Sequence, residues 1–218
     1  MKKLLSLIFL LPVSVALLCL TSCSESDGDS DEYAQWQEKN DAFFTDIYQT
    51  AQQRIAQGDA SWKIIRNWSL SSLVAAQPTQ NIVVKVLQNG TGTTTPLYSD
   101  TTHVSYMGHL IPSENYEGGY VFEKTYVGDF NPATAIPVKL GVSQTKTTSS
   151  SGSSTSGSTI DGMVTTLMNM HVGDRWEVYI PYNLGYGSSA SNSLPAYSTL
   201  IFDIYLHDYW HAGAVEKK

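Results

Sequence analysis

Cysteine is almost absent: of 218 residues only Cys19 and Cys23 carry a thiol, both near the start. No internal disulfide can staple the remaining chain, so the fold must rest on its hydrophobic core. Positive charge is scarce too, with 13 Lys and Arg against 20 Asp and Glu and a formal net charge of −7. That balance argues against nucleic acid and against an anionic bilayer surface as partners. Beyond the first 22 residues nothing is long and apolar enough to span a membrane, and no fixed-period repeat recurs. Several catalytic signatures are missing. There is no Gly-x-Ser-x-Gly elbow and no Ser/His/Asp set. Gly185-Tyr186-Gly187 lacks the lysine and following helix of a phosphate loop. His207 and His211 are four apart, but at the end of a strand, where that spacing does not share a face. His103 and His109 lie six apart on one strand. Neither metal nor cofactor is expected.

What is present begins with a three-part export signal over residues 1–22. Lys2 and Lys3 precede an apolar run from Leu4 to Leu20, and small residues follow. Pro12 within that run, and the polar stretch after it, favour a cleaved signal over a retained anchor. Leu20-Thr21-Ser22-Cys23 resembles the lipobox of bacterial lipoproteins, which implies cleavage before Cys23 and lipidation of its thiol. Several acyl chains on one cysteine hold a protein to a membrane stably, as one chain does not. Losing two lysines with the signal takes the formal charge from −7 to −9. The expected location is the cell envelope, lipid-anchored to the outer membrane and facing periplasm or surface. Residues 23–30 read as an acidic tether. Asp27, Asp29, Asp31 and Glu38 fall on ligand positions of a calcium loop, but Glu32 stands where that loop needs glycine, so the tether reading is preferred.

From Asp31 to Gly58 the pattern is helical. Tyr33, Trp36, Phe43, Ile47, Ala51 and Ile55, with Asn40 filling the missing step, recur at spacings of three and four. Asp31 can cap the start and Gly58 the end. The stripe is expected to pack on its own chain as a monomer, with dimerisation through residues 31–58 as the alternative.

Past Trp62 the period becomes two. Asn81–Gln88 reads as a strand, followed by the turn signal Asn89-Gly90. Val104, Tyr106 and Leu110 alternate with His103, Ser105, Met107 and His109. Trp176, Val178 and Ile180 face one way, as do Leu200, Phe202, Ile204 and Leu206. Such alternation marks antiparallel strands with one face on a core. One helix interrupts them: Ile160, Met163, Val164, Leu167 and Met168 form an apolar stripe behind the capping-box pattern Ser158-Thr159-Ile160-Asp161. Val172-Gly173-Asp174 closes it in a turn.

Between strands and helix, every residue from Thr147 to Thr159 is Ser, Thr or Gly. Alone, this run reads as a linker. The helix beyond it is too short to stand by itself and the strands before it have an open apolar face. Each half needs the other, so the run is read as an insertion within one domain.

The order of segments resembles the FKBP-type peptidyl-prolyl isomerases. The matching pieces are VKVLQNGTG (84–92), VSYMG (104–108), YVFE (120–123), KLG (139–141), IDGM (160–163), VGD (172–174), IPYNLGYG (180–187) and LPAYSTLIFDIYL (194–206). The resemblance implies an α+β fold, an antiparallel sheet curled around one short helix. Here it would span residues 62–209, with a loop insertion at 142–159 and the N-terminal helix as an extension. It implies a pocket of Tyr106, Phe122, Glu123, Ile160, Tyr186 and Phe202, with Ile136, Met163 and Leu194 completing the substrate surface. Tyr186 and the backbone N–H of Ile160 match the family's two ligand donors. Glu123 matches an acidic position, usually Asp. The implied activity is cis–trans isomerisation of X–Pro bonds in exported proteins, so proline-containing segments are the expected partners. In the family, tryptophan usually stands at Met163, an aromatic at Ile136 and an aliphatic residue at Thr159. These departures support the alternative of a catalytically weak or silent binding or chaperone lipoprotein. Taken singly, Tyr106, Phe122 and Phe202 would read as core residues of alternating strands.

Overall fold

The computed structural model describes residues 32–143, 159–190 and 194–214. The export signal, Cys23, the acidic tether, Asp31 as a helix cap, and the Ser/Thr-rich run from 144 to 158 lie outside the described residues.

Helix α1 (Trp36–Ala56) is followed by strands β1 (Trp62–Arg66), β2 (Asn81–Gln88), β3 (Thr101–His109), β4 (Val121–Lys124) and β5 (Val138–Gly141). Helix α2 (Asp161–Leu167), β6 (Arg175–Ile180) and β7 (Leu200–Trp210) complete the chain. The strands form one seven-stranded antiparallel sheet in the order β1-β2-β6-β7-β3-β4, with β5 also on β3. β4 takes the Met107–His109 end of β3's free edge, and β5 takes the Thr101–Val104 end. This α+β architecture is the one expected.

The helices cover opposite faces. Tyr179 and Ile180 are neighbours on β6, so their side chains point to opposite sides of the sheet. The Tyr179 ring meets Phe43 of α1 at 6.2 Å. Ile180 meets α2, where a Cβ on Gly162 would come within 2.3 Å of its Cγ2. Only glycine allows α2 this close. Trp176, Val178, Ile180, Leu200, Ile204 and Leu206 are fully buried, each contributing ~1.5–3 kcal/mol through the surface removed from water.

Three local expectations change, and the polar step in the stripe of α1 finds its reason. Phe44, rather than Phe43, is the deeply buried phenylalanine of α1, and Ile55 is exposed. Asn40 is fully buried, and its side chain bonds Trp36 O and Thr199 N, which explains a polar residue in an apolar stripe. Asn89-Gly90 does not form a hairpin, because β2 pairs with β1 and β6 rather than with the next strand. Gly90 instead packs where a Cβ would lie 2.2 Å from Val172 O, and its N–H donates to Asp174 Oδ1 at 2.6 Å. The capping box ahead of α2 is not formed: Ile160 is the N-cap residue and no side chain caps it. Thr159 Oγ1 donates to Gly141 O at 2.8 Å instead. Gly141 and Thr159 therefore meet on one body, with Val142 fully buried beside them.

Candidate functional site

Between α2 and the sheet face that carries Tyr106 and Phe202 lies a cavity of about 340 Å³, the size of a small-molecule or side-chain site. Six of the residues picked out in the sequence line it: Tyr106, Glu123, Ile160, Met163, Tyr186 and Phe202. Lys139, Leu140 and Thr159 join them. Phe122, Ile136 and Leu194 do not. Phe122 stands behind the wall, its ring edge-on to Phe202 at 5.6 Å. Leu194 is half-buried against the core. Ile136 is 83% exposed and lines a separate cavity of about 230 Å³ with Tyr126 and Val127.

A bulge gives β4 its role. Gly108 lies opposite Glu123 while His109 lies opposite Val121, so Phe122 is the extra residue. In an unbroken strand, residues 122 and 123 would point to opposite faces; a bulge re-aims one of them. Here the Phe122 ring lies over Gly108, while Glu123 Oε1 accepts a 2.6 Å hydrogen bond from the Tyr106 hydroxyl. Gly108 makes this possible, since a Cβ there would meet Phe122 Cζ at 2.6 Å and Phe202 Cε1 at 2.7 Å. In the sequence Gly108 closes the segment VSYMG, and the local sign of its role is a glycine inside an otherwise alternating strand. Tyr106 in turn meets Phe202 edge-on at 5.9 Å, a favourable arrangement for aromatic rings.

Burial pushes the Tyr106 phenol well above its ordinary range, and the bond to Glu123 adds to the shift. Tyr186 moves the same way, first through burial and then through the Glu123 charge. Both hydroxyls therefore stay protonated, able to donate, across the physiological range. Met163 is 4% exposed and forms the floor from α2. Among the described residues no group of three or more His, Cys, Asp or Glu side chains is placed to hold a metal ion. His207 Nε2 pairs with Ser105 Oγ at 2.9 Å, and His211 Nδ1 with Asp100.

An antiparallel sheet, a short helix packed on it and one aromatic, donor-bearing cleft between them define a small α+β domain with a single-site architecture. The family model for FKBP-type peptidyl-prolyl cis-trans isomerase matches residues 92–207, more than half of the chain, and the chain belongs to that family. It is 29% identical over 138 residues to a macrophage infectivity potentiator of Trypanosoma cruzi, covering 61% of this chain and 57% of that protein. It is 31% identical over 123 residues to the FKBP-type 22 kDa peptidyl-prolyl cis-trans isomerase of Escherichia coli K12, covering 56% of this chain and 47% of that protein. The chain thus spans about half the length of the curated relatives it matches. Among solved structures, the peptidyl-prolyl cis-trans isomerase of Pseudomonas syringae is similar at 20% identity and a TM-score of 0.45, covering 76% of this chain and 94% of that one. FkpA from Escherichia coli is similar at 23% identity and a TM-score of 0.47, covering 81% and 65%.

Proposed function

We propose that this protein accelerates cis–trans isomerisation of X–Pro bonds. The observation that carries the reading is the convergence of Tyr106, Phe202, Met163 and Tyr186 on one cavity beside the start of α2. Rotation about a peptide bond faces a barrier of ~18–20 kcal/mol from amide resonance, and an X–Pro bond keeps most of it while losing much of its trans preference. No nucleophile is required. Apolar walls that seat the proline ring strip water from the amide carbonyl, whose hydration stabilises the planar, charge-separated form. Donors such as Tyr186 Oη and the Ile160 N–H, placed for the twisted amide, then bind the transition state more tightly than either ground state.

A second reading, a catalytically weak or silent module that binds proline-containing or extended segments, is favoured by one observation. With Ile136 83% exposed outside the cavity, that side lacks an aromatic wall.

The setting proposed is the cell envelope, with Cys23 lipidated and the chain anchored to the outer membrane. Exported, proline-containing chains would be its substrates. The motif around Cys23 supports the anchor. The placement of α1 on its own sheet supports a monomer, since the apolar stripe is already used.

Isomerisation of a proline tetrapeptide by the chain lacking residues 1–23, alongside Tyr186→Phe and Phe202→Ala, tests the proposal. Acceleration that falls in both variants supports it. Saturable peptide binding without acceleration selects the binding module, and neither activity nor binding removes both readings.

A further inference from the structure

We infer that the start of α1 and the residues just ahead of it are a positioning element for the cavity, a clamp that fixes the loop carrying Tyr186 and the loop that leads into β4; the inference rests on the isomerase reading. Trp36 Nε1 donates to Ser198 Oγ at 2.8 Å. One turn on, Asn40 Oδ1 accepts the N–H of Thr199 at 2.7 Å. Trp36, Asn40, Ser198 and Thr199 are all at least nine-tenths buried. The loop they hold joins β6 to β7 and delivers Tyr186 to the cavity. Its two limbs are tied to each other by Tyr197 N–H donating to Gly187 O at 3.0 Å, and by the Tyr182 and Tyr197 rings, edge-on at 5.2 Å. A short path of directed bonds thus runs from α1 through Ser198 and Thr199, to Tyr197, to Gly187, beside Tyr186.

Ahead of the helix, the carboxylate of Glu32, 4% exposed, accepts the backbone N–H of Asn115 at 3.2 Å and also its side-chain amide. Asn115 belongs to the loop from β3 to β4, the strand that presents Glu123. The buried Glu32 side chain ahead of α1 and two buried polar pairs within it, Trp36–Ser198 and Asn40–Thr199, therefore fasten this end of the helix to both loops.

Backbone strain marks the same place. Among the described residues, two that are not glycine have a left-handed backbone: Gln35 at φ 55° and Tyr197 at φ 61°. Each immediately precedes one partner of the Trp36–Ser198 bond. A side chain with a Cβ disfavours this conformation, and it persists where the surroundings over-determine it. Packing an amphipathic helix on a sheet requires neither strained residue. Bringing these two side chains into register accounts for both.

The test uses the full chain with Trp36→Phe, Ser198→Ala, their combination and Asn40→Ala. Ala51→Gly, at a fully buried position toward the far end of α1, controls for general loss of stability. Amide hydrogen exchange is followed at residues 185–187 and 197–199, and kcat and KM on a proline tetrapeptide are measured well below the melting temperature. The clamp predicts exchange faster by about tenfold at those amides in each single variant, with the Trp36/Ser198 double variant no faster than the faster single one. It predicts a fall in kcat of about threefold with KM little changed, and neither effect in Ala51→Gly. Unchanged loop exchange, an equal response in Ala51→Gly, or faster exchange with kcat intact would each overturn it. A wild-type chain that does not accelerate isomerisation sinks the isomerase reading instead, and the exchange data then decide whether the helix fastens the loop.

Discussion

The hydroxyl of Tyr106, on β3, donates to Glu123 Oε1, on β4, across 2.6 Å at the mouth of the cavity. The bond uses the phenol's single proton, so Tyr106 serves as wall and as anchor for Glu123, leaving Tyr186 as the side-chain donor free to turn toward a ligand. Removing one hydroxyl should thus differ from removing the other. Tyr106→Phe keeps the ring against Phe202, and the exposed Glu123 regains water, so a loss of about 1 kcal/mol or less in stability is expected. Its kcat/KM for a proline tetrapeptide should fall by roughly threefold, against roughly tenfold or more for Tyr186→Phe. Equal losses in the two variants, measured side by side, would contradict this division of roles.

Gly108 sets the depth of the aromatic wall. In Gly108→Ala the new Cβ meets two rings under 3 Å, and both would have to move. A thermal melt should show about 1–3 kcal/mol of destabilisation, the ordinary cost of overpacking. The near-ultraviolet circular dichroism of the aromatic cluster should change with it. A variant as stable as the parent, with an unaltered aromatic signal, would mean that the β4 bulge does not depend on this glycine.

Titration of three tyrosines and one histidine bounds stability on both sides. Tyr106, Tyr179 and Tyr186 are all raised above the ordinary 10.0, each chiefly by burial. In the unfolded chain these phenols ionise near pH 10, whereas in the folded chain they hold their protons, so alkali favours unfolding. Stability should be level through neutral pH and fall above about pH 10. The fall should be shallower in Tyr106→Phe. His207 is lowered from 6.5, first by burial and then by the nearby His103. There the unfolded chain takes up the proton first, so stability present above pH 6.5 is lost as pH falls through the folded value. Denaturant melts of the parent and of His207→Gln across acid pH check this. A decline of the same size in both would remove His207 from the account.

Much of the fold was legible because alternation and burial are local. Val178 and Ile180 point to the core while Glu177 points away, as a period of two requires. The site was legible only through the order of weak pieces, since a single Tyr106 or Phe202 on an alternating strand looks like any core aromatic. Ile136 shows where that order fails. Phe130, in the loop after β4, packs on Tyr205 at 5.3 Å and under the Arg175 guanidinium at 4.7 Å. Tyr205 points away from the cavity face that carries Phe202 and Ile204, so the loop is drawn to the other side and Ile136 goes with it. Nothing local to Ile136 announces a contact made by Phe130. The pairing of Trp36 with Ser198, 162 residues apart, was hidden for the same reason: long-range polar partners leave no periodic trace.

The hydrogen bond from Thr159 to Gly141 joins residues 18 positions apart and makes a test of the Ser/Thr-rich run straightforward. If that run links two independently folded halves, shortening it should leave each half intact and free to separate. If it is a loop leaving and re-entering one sheet-and-helix body, its ends must stay together whatever its length. Closure entropy grows only slowly with length, by about 0.6 kcal/mol for each doubling. Replacing residues 144–158 with a short Gly/Ser turn should therefore preserve one cooperative melt, with stability equal or slightly raised by about 1 kcal/mol. The aromatic signal of Tyr106 and Phe202 should be retained. The halves 32–143 and 159–214, expressed apart, should each fail to fold, because α2 would lose the strands that cover it and the sheet would lose β6 and β7. Two separate transitions in the parent, or a folded fragment from either half, would show two domains joined by a linker.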